Sequence, residues 1–360
     1  MRLKLSILLA FFLLPMSAIN AQSFMQVSYG DDLFAIGGGA RGLGMGGAQV
    51  AMVNDVTAGF WNPAGLYGIT DRQLSYMHSE RFGGMVSYDY GAFAMPLRNS
   101  DDVIAISFFR QGVDNIKNTL NAWDRERDRP VANPDAFITE FSTYDMALLL
   151  SYGSLIQENL TWGTTVKLIY SHLGPFANGF GYSADIGAQY RGERFALGVN
   201  LNNITTLMKM WTVDESELEP LRDFFSDETL NEAFPTGQNE YTLPSMRIGA
   251  GTWREFGDYK VTVALDLMSH FDGRITYHFN AGPVSFQPHL GSEFSYKEIL
   301  YLRLGITDVY TDSDSRFYAS PTVGTGFRVN KLFIDYAFNS FTGITADLGT
   351  THRVSAKFSF

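Results

Sequence analysis

Along most of the chain, apolar and polar positions alternate one for one. Leu160, Trp162, Thr164, Val166, Leu168 and Tyr170 interleave with Thr161, Gly163, Thr165 and Lys167, and Tyr259, Val261, Val263, Leu265 and Leu267 with Lys260, Thr262, Ala264 and Asp266. The rule repeats from Tyr182 to Tyr190, from Phe195 to Leu201, and for Val354, Ala356, Phe358 and Phe360 against Arg353, Ser355, Lys357 and Ser359. Period two sends successive side chains to opposite faces of a strand, so each segment has one greasy face and one polar or small face. Fourteen strands are predicted on this pattern, near 73–80, 84–96, 101–112, 138–152, 158–172, 178–191, 194–203, 241–253, 258–270, 285–296, 299–306, 316–329, 331–338 and 350–360.

The joins decide what the greasy faces meet. Asn99-Ser100, Gly153-Ser154, Arg191-Gly192-Glu193, Glu255-Phe256-Gly257, Lys297-Glu298 and Asn330 are tight, whereas 113–137, 204–240, 271–284, 307–315 and 339–349 are long. The joins near Arg81 to Gly83 and Gly174 to Asn178 are short exceptions. In a sandwich the greasy faces would pack on each other. Tight turns at one end, long loops at the other and an even strand count instead fit an all-β transmembrane antiparallel barrel, with lipid outside and polar faces lining a lumen. Such a lumen is wider than side chains can fill. Residues 22–72 carry no sustained strand pattern, precede the first strand and are expected to fold inward as a plug; residues 73–360 form the barrel.

Residues 1–21 read as a signal peptide: a basic start at Arg2 and Lys4, an apolar run from Leu5 to Pro15, and small residues toward Ala21. No stretch reaches the roughly 18 unbroken apolar residues of a spanning helix. Charged residues are only 18% of the chain and aromatics 14%, a balance suited to a lipid-facing barrel with aromatic girdles. The net charge of -11 argues against nucleic acid, whose phosphates need a basic surface. With no cysteine, disulfides and thiolate metal sites are excluded. His78, His172, His270, His278, His289 and His352 show no metal-ligand spacing, and no G-x-S-x-G nucleophile motif occurs. No catalytic residue, metal or cofactor is expected, and the chain reads as non-enzymatic.

Ahead of the first strand lies Gly37-Gly38-Gly39-Ala40-Arg41-Gly42-Leu43-Gly44-Met45-Gly46-Gly47-Ala48, which contains G-x-G-x-x-G twice. A dinucleotide site would need a strand before it and a βαβ unit around it; a leader and antiparallel strands stand there instead. The glycines suit a backbone folded tightly inside a barrel. Downstream, in Asn62-Pro63-Ala64-Gly65, Pro63 fixes its own φ and biases Asn62 away from helix, while Gly65 permits a tight reversal.

The glycine-rich stretch, with Asn54-Asp55, Trp61-Asn62-Pro63-Ala64-Gly65-Leu66 and the ending Asp335-Tyr336-Ala337-Phe338, Leu348-Gly349 and Thr351-His352-Arg353, resembles the PorV/PorQ family of outer-membrane proteins, within the FadL-type barrels. The resemblance implies fourteen strands and a hatch holding Asn62, Pro63 and Ala64. It also implies a task in handling or exporting cargo proteins, as an accessory of type IX secretion, or else diffusion of hydrophobic small molecules such as long-chain fatty acids. The terminal aromatics Phe358 and Phe360 resemble the signal that outer-membrane barrels present to the barrel-assembly machinery.

One loop adds a candidate surface. Asp214-Glu215-Ser216-Glu217 has the form of a helix N-terminus, and Leu218, Leu221, Phe224 and Phe225 then share one helical face. With Met208, Met210 and Trp211 just ahead, an amphipathic helix over 214–225 would form a ligand- or partner-binding loop, or else pack on neighbouring loops. The Asp124 to Arg129 charge run reads as solvated, and Lys167, Asp185, Arg247, Lys260, Asp266, Asp335, Arg353 and Lys357 as lumen charges, held in a hydrogen-bonded interior or selecting what passes.

Overall fold

The computed structural model describes residues 28–29, 34, 37–98, 100–124, 127, 129–222, 226, 229–230, 239–271, 279–311, 316–340 and 349–360. The leader 1–21 and the candidates Phe224 and Phe225 lie outside these residues.

Fourteen antiparallel strands close into a barrel: β1 Gln73–Arg81, β2 Val86–Pro96, β3 Val103–Asn118, β4 Thr139–Gln157, β5 Leu160–Leu173, β6 Ala177–Arg191, β7 Phe195–Asn202, β8 Ser245–Phe256, β9 Tyr259–His270, β10 Val284–Tyr296, β11 Leu300–Thr311, β12 Phe317–Val329, β13 Leu332–Ser340 and β14 Thr350–Ser359. Each strand pairs with the next, and β14 returns to β1 in a register running from Gln73↔Ser359 to Glu80↔His352. Closure leaves the barrel without a free edge, which is how a sheet satisfies its backbone in lipid. Among the described residues no helix is long and apolar enough to cross a membrane.

Burial follows the alternation. Leu265, Leu302, Leu304 and Val354 point outward and are about half exposed, while Asp266, Arg303, Arg353 and Ser355 from the same strands are buried within. Aromatic pairs ring the tight-turn end, with Phe93 near Phe360 at 6.3 Å, Tyr152 near Trp162 at 5.8 Å and Tyr259 near Phe294 at 5.6 Å. Phe358 stacks on Phe360 in this ring. Toward the long loops Tyr170 meets Phe180 at 5.0 Å and Tyr310 meets Tyr318 at 5.1 Å. Two aromatic belts bounding an apolar band match a wall that faces lipid.

The segment expected as the loop 204–240 departs from that reading. After an interruption at Asn203 to Thr206, where both end residues take left-handed φ (54° and 56°), Leu207–Val213 resumes the line of β7. It pairs with β6 from Met208↔Tyr182 to Val213↔Ala177. The physical reason is that the upper half of β6 would otherwise present an unpaired edge. Glu240–Thr242 adds to this extension, and Ser28–Tyr29 pairs in parallel with Glu240 and Tyr241.

The helix expected over 214–225 is a single turn, Glu215–Leu218, followed by a 3-10 turn, Glu219–Leu221. Asp214 does cap it, accepting from the Ser216 amide at 3.1 Å. Pro220 stops the α-helix, because it has no N–H to donate back along the helix and its ring crowds the preceding turn.

Candidate functional site

Residues 37–69 lie inside the barrel, as two short helices, α1 Ala40–Gly44 and α2 Ala58–Trp61, and a 3-10 turn, Pro63–Gly68. The path is set by groups on both sides. Asn62 is fully buried; its amide nitrogen donates to Val50 O within the segment at 2.8 Å, and to the wall carbonyls of Ala188 (3.2 Å) and Val199 (3.3 Å). Its oxygen accepts from the Ala64 amide at 3.2 Å, capping the 3-10 turn that Pro63 opens. Gly65 lies where a Cβ would strike the Val53 carbonyl. Asn62, Pro63, Ala64 and Gly65 therefore form one buried fastening between segment and wall.

Lumen side chains supply most of the other fastenings. The Asp266 carboxylate accepts from the Gln49 and Val50 amides at 2.8 and 2.9 Å. Arg247 donates to Gly47 O at 3.2 Å, Gln189 to Val50 O at 2.9 Å, and Arg353 to Gly37 O and Gly39 O at 3.3 Å each. Irregular backbone buried inside a barrel needs such partners for its peptide groups. The lumen charges thus act on the segment's peptide groups.

Close approach is achieved through glycine. Gly153, Gly163, Gly187, Gly198, Gly249, Gly291, Gly305 and Gly324 sit at lumen positions of β4 to β8 and β10 to β12, and a Cβ on each would press on the segment. Several face each other across strands, Gly153 opposite Gly163, Gly163 opposite Gly187, Gly198 opposite Gly249 and Gly291 opposite Gly305. Glycine weakens a strand, so its placement along this seam marks where another backbone lies against the wall. The seam went unread in the sequence; its signal is a glycine in the lumen phase of strand after strand.

Ion pairs bind the segment toward the tight-turn end. Arg41 reaches Glu293 at 3.0 Å, Arg303 joins Glu293 at 2.6 Å and Asp335 at 2.5 Å, and Lys357 meets Asp55 at 2.6 Å. Burial pushes the Asp55 carboxyl up, but the Lys357 ammonium, the Thr57 hydroxyl and Arg41 outweigh it and hold Asp55 below the usual carboxylate range. Nearer the interruption in β7, Lys167 pairs with Asp185 at 2.7 Å, and Asp185 accepts from the Asn203 amide at 2.9 Å. Lys260, by contrast, stands partly exposed beside Glu255 at 3.5 Å.

Among the described residues, two cavities are lined partly by the segment. One, lined by Phe34, Phe60, Trp61, Leu149 and Met268 with Lys167, Asn203 and Arg247, measures only about 30 Å³. That volume holds a water or two, against the several hundred Å³ of a small-molecule pocket. The other, at the tight-turn end, measures about 650 Å³ and is largely polar.

The outer-loop candidates do not assemble into one surface. Met208 and Met210 stand on the outward face opposite Tyr182 and Phe180. Trp211 donates to Glu240 at 3.0 Å beside Lys209, in a polar cluster at the long-loop end. Leu218 and Leu221 are buried with Phe176 and Leu230 in a small satellite core.

The fold and the occupied lumen define a class: a fourteen-stranded antiparallel barrel with its own chain packed inside. Solved structures similar to this chain include the P. putida toluene transporter TodX, at 12% identity over 90% of this chain and 99% of TodX, with a TM-score of 0.55. The monoaromatic hydrocarbon channel CymD is similar at 12% identity over 90% of this chain and 98% of its own, TM-score 0.56. A Pseudomonas aeruginosa FadL homologue matches at 12% identity over 89% and 98%, TM-score 0.50. At this identity the likeness shows the fold alone, a closed fourteen-stranded barrel. No family model matches the chain, and no curated protein matches it.

Proposed function

We propose that this chain is a non-enzymatic outer-membrane barrel that passes hydrophobic small molecules, with residues 22–72 acting as its hatch. The observation that carries the reading is the small cavity between the segment and the wall, part of whose lining is aromatic and aliphatic. Phe60 and Trp61 from the segment face Leu149 and Met268 from the wall, beside the interruption at Asn203 to Thr206. At about 30 Å³ this cavity is too small for an organic molecule, and the reading needs the segment or the neighbouring wall to move for a solute to pass here. The fold shared with transporters and channels of hydrophobic molecules supports the same reading. The export reading has no comparable support among these neighbours, and the order of the two sequence-based expectations is reversed.

Deletion of the gene is expected to reduce uptake of radiolabelled toluene or a long-chain fatty acid and to leave the secreted proteins unchanged. Unchanged uptake with a depleted secretome would reject the channel in favour of export.

A further inference from the structure

The cavity at the tight-turn end has a charge balance opposite to that of the chain. The protein carries a net charge of -11, yet the cavity is lined by seven Lys and Arg side chains against five Asp and Glu. Four of the five acids are already engaged with its cations: Glu293 by Arg41 and Arg303, Asp335 by Arg303, Asp55 by Lys357, and Glu298 by Arg328 at 3.7 Å. Arg191, the last residue of β6, makes no ion pair among the described residues; its guanidinium lies over the Trp253 ring at 5.5 Å. Its Nη2 is buried and finds no acceptor among the described residues, and the Nη2 of Arg303, a side chain only 1% exposed, is in the same condition. Buried guanidinium donors without an acceptor are costly, and an oxyanion is the partner whose paired oxygens match their geometry. A cleft carrying surplus positive charge also concentrates anions from solution.

We propose that this vestibule is an oxyanion-binding site, in which Arg191, backed by Trp253, and Arg303 receive a carboxylate or phosphate group entering from the tight-turn end. The site lies across the lumen segment from the small cavity and does not rest on the channel reading. Its volume of about 650 Å³ admits a solute with a body larger than the anionic group alone. Glu293, shared by two guanidinia, holds Arg303 in place while leaving one of its donors uncommitted.

The test is calorimetric titration of the full chain in detergent with inorganic phosphate and, separately, with propionate, against chloride at equal ionic strength. Saturable binding of at least one oxyanion is expected, weakened about tenfold or more in Arg191→Gln, the loss expected for a charged hydrogen bond. Saturation by phosphate points to a phosphorylated solute or headgroup, and by propionate alone to a carboxylate. Arg191→Lys keeps the charge but not the fork and should bind with intermediate affinity; it replaces Arg191→Gln in the test if that variant does not show the heat-modifiable gel shift of a folded barrel. No saturable binding of either anion, or an affinity unchanged in the variant, would overturn the proposal.

Discussion

The carboxamide of Asn62 occupies the space that a side chain at Gly187 would need: a Cβ on Gly187 would overlap Oδ1 of Asn62. The amide nitrogen beyond it reaches the carbonyls of Ala188 and Val199, which face each other across β6 and β7. At this residue pair the fit of segment to wall depends on one missing side chain and one amide. Gly187→Val should expel the carboxamide, leave buried carbonyls short of a donor and cost about 1–3 kcal/mol. If the segment closes the lumen, the variant will also show raised single-channel conductance in planar bilayers; a conductance equal to wild type would mean that this fastening does not hold the closed state.

Trp61 is held in a similar way. Its Nε1 donates to Gly38 O at 2.7 Å, and a Cβ at Gly42 would come within 2.5 Å of its ring. Gly42→Val is expected to tilt the indole and enlarge the small cavity. Acrylamide should then quench tryptophan fluorescence more strongly than in wild type, and Trp61→Phe in the same background should remove the difference.

The Lys167–Asp185 pair tests the energetics of the wall beside the β7 interruption. Both side chains are almost wholly buried, so removing one partner strands a charge. Lys167→Met should lower stability to denaturant by about 3–5 kcal/mol, and Asp185→Leu added to it should recover a substantial part. Gel-shift titration in detergent gives both values.

Acid should loosen the segment through Asp55. Its folded pKa is depressed, so the stability it contributes is fully present above the unfolded value, about 3.9, and is lost as pH falls from there through the folded value. Wild type is expected to lose stability between pH 5 and pH 3 by more than Asp55→Asn, which is already weaker at neutral pH. Equal losses in the two proteins would assign the acid sensitivity to other groups.

Leu218 and Leu221 are packing residues of the outer loops, and Leu218→Ala should cost about 2–4 kcal/mol of local stability, read as faster proteolysis there. Binding of hydrophobic probes should be unaffected, because Met208 and Met210 stand apart from this cluster on the outward face of the barrel.

The strands, their number and their inward and outward faces were legible in the sequence because period two is a local property: Leu265 and Asp266 differ in fate by one position, and that difference is written in the chain. Most tight joins were legible too, but Gly153-Ser154, read as a turn, lies within β4, and the chain reverses at Glu158-Asn159 instead. What escaped was whatever depends on residues distant in sequence. Leu207–Val213 became strand because the edge of β6 was there to pair it, and the helix after it stopped at Pro220, a residue whose local meaning the apolar pattern masked. The glycine seam and the bonds from Asn62 to strands more than a hundred residues away required the barrel to close first. Alternation together with the lengths of the joins determined a barrel with a polar interior. Only the tertiary structure decided how chain and wall meet within it, because that fit depends on missing side chains at Gly153, Gly163 and Gly187, positions brought side by side only by strand pairing.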